Sequence, residues 1–299
     1  MNRQFWLNCG LLRLFDEYDA LPDESAPSFQ YDLSHPELER LREAYRLDQV
    51  AGSGDDWPKI LNLMQWMAEG IWHRGDISKA LPDVCESLPM NALGLLDYSF
   101  GKGQENGINC YMLSILLTEI CLSIGVKSRL VSLNPLNPYD YDNHVAVVSW
   151  CTCRSKWVMI DPSYSAYLCD SEGLILSPWE TRDRLCRHRA VFCNDELSYN
   201  RGEYSPEDYL TYIAKNLLYM QSPSFTGYGS TTTSAKPWLM LVPKQLDVCK
   251  RETCNMKWHK DGEDGTWEYD ELRSAVERRR LKGGQVYTSS IASFAEAPI

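Results

Sequence analysis

No stretch of the 299-residue chain approaches the roughly 18 consecutive apolar residues that a membrane-spanning helix needs. The opening segment from Phe5 to Leu14 is broken by Asn8 and Arg13 and followed by no small-residue cleavage site, so it reads neither as a transmembrane helix nor as a signal peptide. Runs of basic residues that could track a phosphate backbone are also missing. With 30 Lys and Arg against 41 Asp and Glu the net charge is -11, which argues against nucleic acid and anionic membranes as partners. The eleven cysteines follow no regular spacing, and an odd number cannot all pair within one chain, so a reducing cytoplasm is the expected setting. No internal repeat is visible. These absences leave a globular chain, 44% hydrophobic, with peptides, proteins or small molecules as its expected partners.

Helical patterns dominate the first half. Ser34-His35-Pro36-Glu37 has the form of a capping box, and Leu38, Leu41 and Tyr45 continue at helical spacing toward a stop at Ala51-Gly52-Ser53-Gly54. Asp56-Trp57-Pro58 opens a second helix with Ile60, Leu61, Met64, Met67 and Ile71 in one stripe; His73, just past it, reads as a surface or core residue. Beyond the Gly101-Lys102-Gly103 loop, Leu113, Leu116, Leu117, Ile120 and Ile124 mark one face of a helix that starts at Cys110 and stops at Gly125, with Met112 and Ile115 apolar on its flanks. Burial nearly all round is expected.

Strand patterns follow at 128–133, 145–150 and 156–160, the last two separated by Cys151-Thr152-Cys153-Arg154. A two-residue turn at Thr152-Cys153 would set Trp150 opposite Ser155, Val145 opposite Ile160 and His144 opposite Asp161. Later, Ser205-Pro206-Glu207-Asp208 caps a helix through Leu210, Ile213, Leu217 and Leu218; Trp238–Val242 reads as a strand and 270–281 as a charged helix.

A thiol at the start of a buried helix has its pKa lowered by the unsatisfied backbone N–H groups there, which makes Cys110 the candidate nucleophile among the eleven cysteines. Cys121, deep in the same helix, lacks that advantage. The Gly-rich stretch before Cys110 would let a substrate approach closely. A nucleophile needs a base and the base an orienting partner, and the hairpin offers His144 and Asp161. The backbone N–H of Cys110, with the amide of Gln104 as the second donor, would hold an oxyanion. Tyr204, Tyr209, Tyr228 and Trp238 are candidates for cleft walls. A rival reading takes Cys249, Cys254 and His259 as zinc ligands, joined by Cys151 and Cys153 or by Cys186 and His188, although none of these forms a compact CxxC pair.

Three pieces of the sequence together resemble the transglutaminase-like superfamily, relatives of the papain-like cysteine proteases. They are Gly107-Ile108-Asn109-Cys110 with the apolar helix ending in Ile124-Gly125-Val126-Lys127-Ser128-Arg129; Asn143-His144-Val145-Ala146-Val147; and Trp157-Val158-Met159-Ile160-Asp161-Pro162-Ser163. The resemblance covers about Gly101 to Tyr164. It departs from the family at Asn109, where a small residue is common, and at Ala146, where an aromatic is. It implies an α+β fold with a papain/transglutaminase-like core, in which a central Cys-bearing helix packs on an antiparallel sheet. The expected organisation is a helical part over 1–75, a catalytic core over 76–200 and an extension over 201–299 that completes the same domain and, by its composition, ends in a flexible tail. The implied chemistry is acyl transfer from an amide or peptide through a thioester, by Cys110, His144 and Asp161. Its product goes to water in a protease, peptidase or amidase, or to an amine acceptor in a transferase, and it needs no cofactor. Papain-like proteases carry a Gln six residues before the cysteine, the position of Gln104. The alternative is a catalytically inactive domain of the same fold used for binding.

Overall fold

Along Ser128–Asn134, His144–Cys151 and Lys156–Ile160, apolar side chains are divided by alternation between two cores. Leu130, Val145, Val147, Val158 and Ile160 face one, while Val131, Leu133, Ala146, Val148, Trp157 and Met159 face the other. Strands covered on both faces carry apolar side chains on both, and polar members such as Arg129, His144 and Ser149 are buried with hydrogen-bond partners. The computed structural model, which describes residues 1–140, 142–230, 237–261, 268–282 and 284–298, places them in a six-stranded sheet. The strand order is Gln285–Thr288, Trp238–Leu241, Tyr219–Pro223, Ser128–Asn134, His144–Cys151, Lys156–Ile160. The fold is α+β.

The sheet is mixed rather than wholly antiparallel. Trp238–Leu241 and Gln285–Thr288 run parallel, because the helices Val248–Asp261 and Tyr269–Lys282 lie between them and carry the chain back to its starting end. All other adjacent pairs in this sheet are antiparallel.

The hairpin register also differs from the expected one. Its turn is a 3-10 turn at Thr152–Arg154 closed by Ser155 in the left-handed region (φ 49°). The last pair is therefore Cys151 with Lys156, and Trp150 stands opposite Trp157, not Ser155. Extending this register sets Asp161 across from Ala146, diagonal to His144. A shift of two residues keeps every side chain on its face, whereas a shift of one would have reversed them all.

Against the first core lies the helix Cys110–Ser123, buried at every position from Met112 on, flanked by Pro36–Ala44, Asp56–Gly70 and Ala92–Ser99. The first of these is capped by the ring of His35, which accepts from Glu37 N–H at 3.3 Å, and not by Ser34, whose hydroxyl donates to Asp32. Arg46, left-handed at φ 51°, splits off a separate helix over Leu47–Ala51. The second core is closed by Arg3–Leu14, Pro178–Cys186 and Pro206–Asn216. Arg3–Leu14 buries Phe5, Asn8, Cys9 and Leu12 and exposes Trp6, Leu7, Leu11 and Leu14, so apolar residues on both faces hide its helical period. Ser177 and Glu180 form a reciprocal capping box ahead of Pro178–Cys186. No helix among the described residues is long and apolar enough to cross a membrane.

The C-terminal segment is packed, in place of the flexible tail expected from its composition. Arg129 is fully buried, its guanidinium 3.8 Å from the centre of the Phe29 ring and 4.1 Å from that of Trp157. It donates to Tyr31 Oη at 2.8 Å and to the Phe294 carbonyl at 2.7 Å. Burial of a cation is tolerated when π-faces and carbonyl oxygens replace its water, and Phe294, itself fully buried, supplies one side of this cage. Phe294→Ala should therefore cost about 3–5 kcal/mol, the range for emptying a buried aromatic site, read as a lower urea midpoint at unchanged slope. A loss below about 1 kcal/mol would mean that the tail is not docked.

Candidate active site

Cys110 occupies the first residue of its helix because Asn109 ends the preceding loop as the N-cap, its Oδ1 accepting from Met112 N–H at 3.0 Å. The Cys110 N–H has no intrahelical acceptor there and points toward the helix start. The helix is fastened to the histidine-bearing strand beside the site, where Ser114 Oγ donates to the Val145 carbonyl at 3.0 Å.

The loop before Cys110 is held from the other side. Ile108 N–H donates to the Trp72 carbonyl at 3.0 Å and Arg74 N–H to the Ile108 carbonyl at 2.8 Å. At Gly107 a Cβ would lie 2.9 Å from Arg74 Cβ and 3.0 Å from the Trp72 carbonyl oxygen. This glycine thus admits the 72–74 segment, not a substrate.

His144 opens its strand and is 1% exposed; Asp161 follows the neighbouring strand and is fully buried. His144 Nε2 is 2.6 Å from Asp161 Oδ2, which leaves Nδ1 for the thiol. The carboxylate is further matched by Tyr209 Oη, donating to Oδ2 at 3.0 Å, and by Ser163 N–H, donating to Oδ1 at 3.0 Å. Tyr212 and Tyr164 present ring edges to the imidazole, with centroids at 5.2 and 6.0 Å. These contacts fix the ring plane and leave it little room to turn.

Cys110 and His144 line one cavity of about 410 Å³, with His73, Asn109, Ser132, Tyr164, Tyr212, Gln221 and Trp238 among its other walls. Of the aromatics expected there, Trp238 is on the wall, Tyr209 stands behind it on Asp161, and Tyr204 packs on Tyr164 at 4.9 Å. Tyr228 instead stacks on His35 and bonds Asn91. Gln104 does not reach the site. It is exposed on the 3-10 turn Gln104–Asn106, where its carbonyl accepts from Gly107 N–H, and it does not line the cavity.

His73 is the residue that sequence reasoning missed. Only the long-range pairing of 72–74 with Ile108 brings it to Cys110, and no local pattern signals that pairing. Gln221 and Ser132, paired across neighbouring strands, likewise reach the cavity through sheet topology alone.

Burial pushes the Cys110 thiol up, but hydrogen bonding and charge from His144 and His73 outweigh it and bring the pKa down to about 6. Burial likewise disfavours a charged His144, yet the Asp161 carboxylate and the Cys110 thiolate raise it to about 10. Cys121, with no such partners, is pushed up to about 12 by burial. The thiolate therefore forms above about 6 and the imidazolium persists below about 10, so an ion pair fills the interval.

Among the described residues no group of three or more His, Cys, Asp or Glu is arranged to hold a metal ion. Cys249 and Cys254 share one helix, and Cys249 Sγ faces Glu277 at 3.8 Å; the His259 side chain lies outside the described residues. Cys151 and Cys153 are free thiols with sulfurs 3.3 Å apart.

No family model matches the chain, and no curated protein does. Among solved structures it is similar to a candidate cysteine protease from Cytophaga hutchinsonii, with a TM-score of 0.30 and 15% identity. That match covers 60% of this chain and 56% of the other, little more than half of its length.

Iodoacetamide alkylation of Cys110, followed residue by residue by mass spectrometry, should rise with a midpoint near pH 6 and be level by neutral pH. A midpoint at the ordinary thiol value of 9.0 would contradict the ion pair.

Proposed function

We propose that the protein is a thiol-dependent acyl-transfer enzyme of the transglutaminase-like superfamily, with a papain-like core, acting on an amide or peptide carbonyl through Cys110, His144 and Asp161. The observation that carries this reading is geometric. A half-buried thiol at a helix start and an imidazole oriented by a buried carboxylate open on one cavity, although they come from three separate elements. The helical part over 1–75, the core over 76–200 and the extension over 201–299 act in this reading as one domain.

In the first step the Cys110 thiolate adds to the carbonyl carbon. A C–S bond forms and the carbonyl π pair moves to oxygen, where the Cys110 N–H meets it. As the tetrahedral intermediate collapses, the C–N bond breaks and the His144 imidazolium gives its proton to the departing amine, leaving a thioester. His144, now neutral, takes a proton from water or from an acceptor amine. That nucleophile adds to the thioester, the C–S bond breaks and the thiolate and imidazolium are restored. Asp161 keeps its charge throughout and holds the ring so that Nδ1 faces the sulfur. No cofactor enters these steps. The partners of this reading are a peptide, a protein or a small amide, with or without an amine acceptor.

Incubation with p-nitrophenyl acetate should release a burst of p-nitrophenol equal to the enzyme present, absent in Cys110→Ala. Asp161→Asn should slow it roughly 10³- to 10⁴-fold, the scale of losing the orienting carboxylate in a triad. Adding a primary amine during steady turnover then separates transfer from hydrolysis, because only a transferase consumes the amine. Wild-type protein whose Cys110 neither acylates nor alkylates would overturn the proposal in favour of a binding domain.

A further inference from the structure

With Gln104 outside the cavity, the second donor expected from the sequence is gone, and a tetrahedral oxyanion needs more than one. His73 lines the cavity beside Cys110 and is close enough to lower its pKa. Its backbone is locked on both sides: the His73 N–H donates to Asn200 Oδ1 at 2.7 Å and Asn200 Nδ2 donates to the His73 carbonyl at 3.0 Å. Its neighbours Trp72 and Arg74 are bonded to Ile108, two residues before the nucleophile. The ring is held by Tyr199, whose hydroxyl is 2.9 Å from Nδ1, and it packs edge-on to that phenol with centroids 5.3 Å apart.

The other ring nitrogen is the informative one. Nε2 is buried with no oxygen or nitrogen partner; Nδ1 being taken by Tyr199, it is the ring nitrogen left to face the Cys110 sulfur, whose pKa His73 helps to lower, in a residue that lines the same cavity as Cys110 and His144. Once the sulfur bonds to carbon it no longer accepts, and a buried N–H left without a partner costs about 1–3 kcal/mol, so a donor held this firmly turns to the oxygen that has just become charged. The hydrogen is assigned by its surroundings. The Tyr199 hydroxyl is able to donate to Nδ1, and that arrangement puts the ring hydrogen on Nε2. A lone pair at Nε2 would face the sulfur anion unfavourably, which selects the same tautomer.

We propose that His73 is a catalytic residue, its Nε2–H being the side-chain donor that, with the Cys110 backbone N–H, holds the oxyanion formed when Cys110 attacks a carbonyl. This rests on Cys110 being the nucleophile, and it adds a second imidazole whose task is distinct from that of His144. His144 moves protons between nucleophile and leaving group. His73 keeps its hydrogen throughout and only donates it to the carbonyl oxygen.

Two reactions of one sulfur separate this role from a general effect on the thiolate. Alkylation by iodoacetamide passes through no oxyanion, whereas acylation by p-nitrophenyl acetate does. With each variant compared at its own pH-independent plateau, His73→Ala should slow acylation about 100-fold, the scale of losing one oxyanion donor, while alkylation changes by less than about 5-fold. His73→Gln, which keeps an N–H donor and guards against a folding defect, should regain at least about a tenth of the wild-type acylation rate. Equal losses in both reactions, no loss in either, or no recovery in His73→Gln while alkylation persists would overturn the assignment. A wild-type protein that fails to acylate at Cys110 would remove the nucleophile itself, and with it the role of His73.

Discussion

A carboxylate taken out of water loses several kcal/mol of solvation that fixed donors must replace, and Asp161 is fully buried. Its donors come from three different elements. His144 belongs to the neighbouring strand, Ser163 N–H to the turn after Pro162, and Tyr209 to a helix 48 residues further on. Removing any one would leave a buried charge partly unmatched, so strand, turn and helix are bound to one arrangement. That arrangement aims the imidazole at Cys110 and fixes where the ends of the sheet and of the central helix meet.

The sheet divides the labour. One face carries the thiol on a helix that is buried from Met112 on, and packing on all sides holds its start rigid. The other is closed by segments from both ends of the chain, which supply Tyr209 and Tyr212, while the inner strands Tyr219–Pro223 and Trp238–Leu241 supply Gln221 and Trp238. The extension beyond residue 201 thus forms part of the site's walls.

Local periodicity made much of this legible. The apolar stripe from Leu113 to Ile124 announced the central helix, and the alternation around Val145–Trp150 and Lys156–Ile160 announced the hairpin. Its register differs by two residues from the expected one because the connection from Thr152 to Ser155 is four residues long rather than two, yet each side chain keeps its face. What stayed hidden depends on contacts remote in sequence. Gln104 has a suggestive position, but a 3-10 turn carries it away from the sulfur. His73 carries no local mark, and only the close approach allowed by Gly107 delivers it. Arg3–Leu14 was obscured by apolar residues on its exposed side, and the parallel edge strand by the helices that connect it.

The aromatic cage around Arg129 has a bearing on how the chain is made. Its guanidinium and the Phe294 carbonyl that it binds are separated by 165 residues. At typical ribosomal speeds of about 5–20 residues per second, the arginine emerges on the order of ten to thirty seconds before its last partner. During that interval the cation has no complete enclosure and must stay hydrated, so the sheet cannot seal its second face until Phe294 has been made. Consolidation waits for that residue, and a nascent chain interrupted before it would present an open, wet core to the chaperones and proteases that sort unfinished proteins.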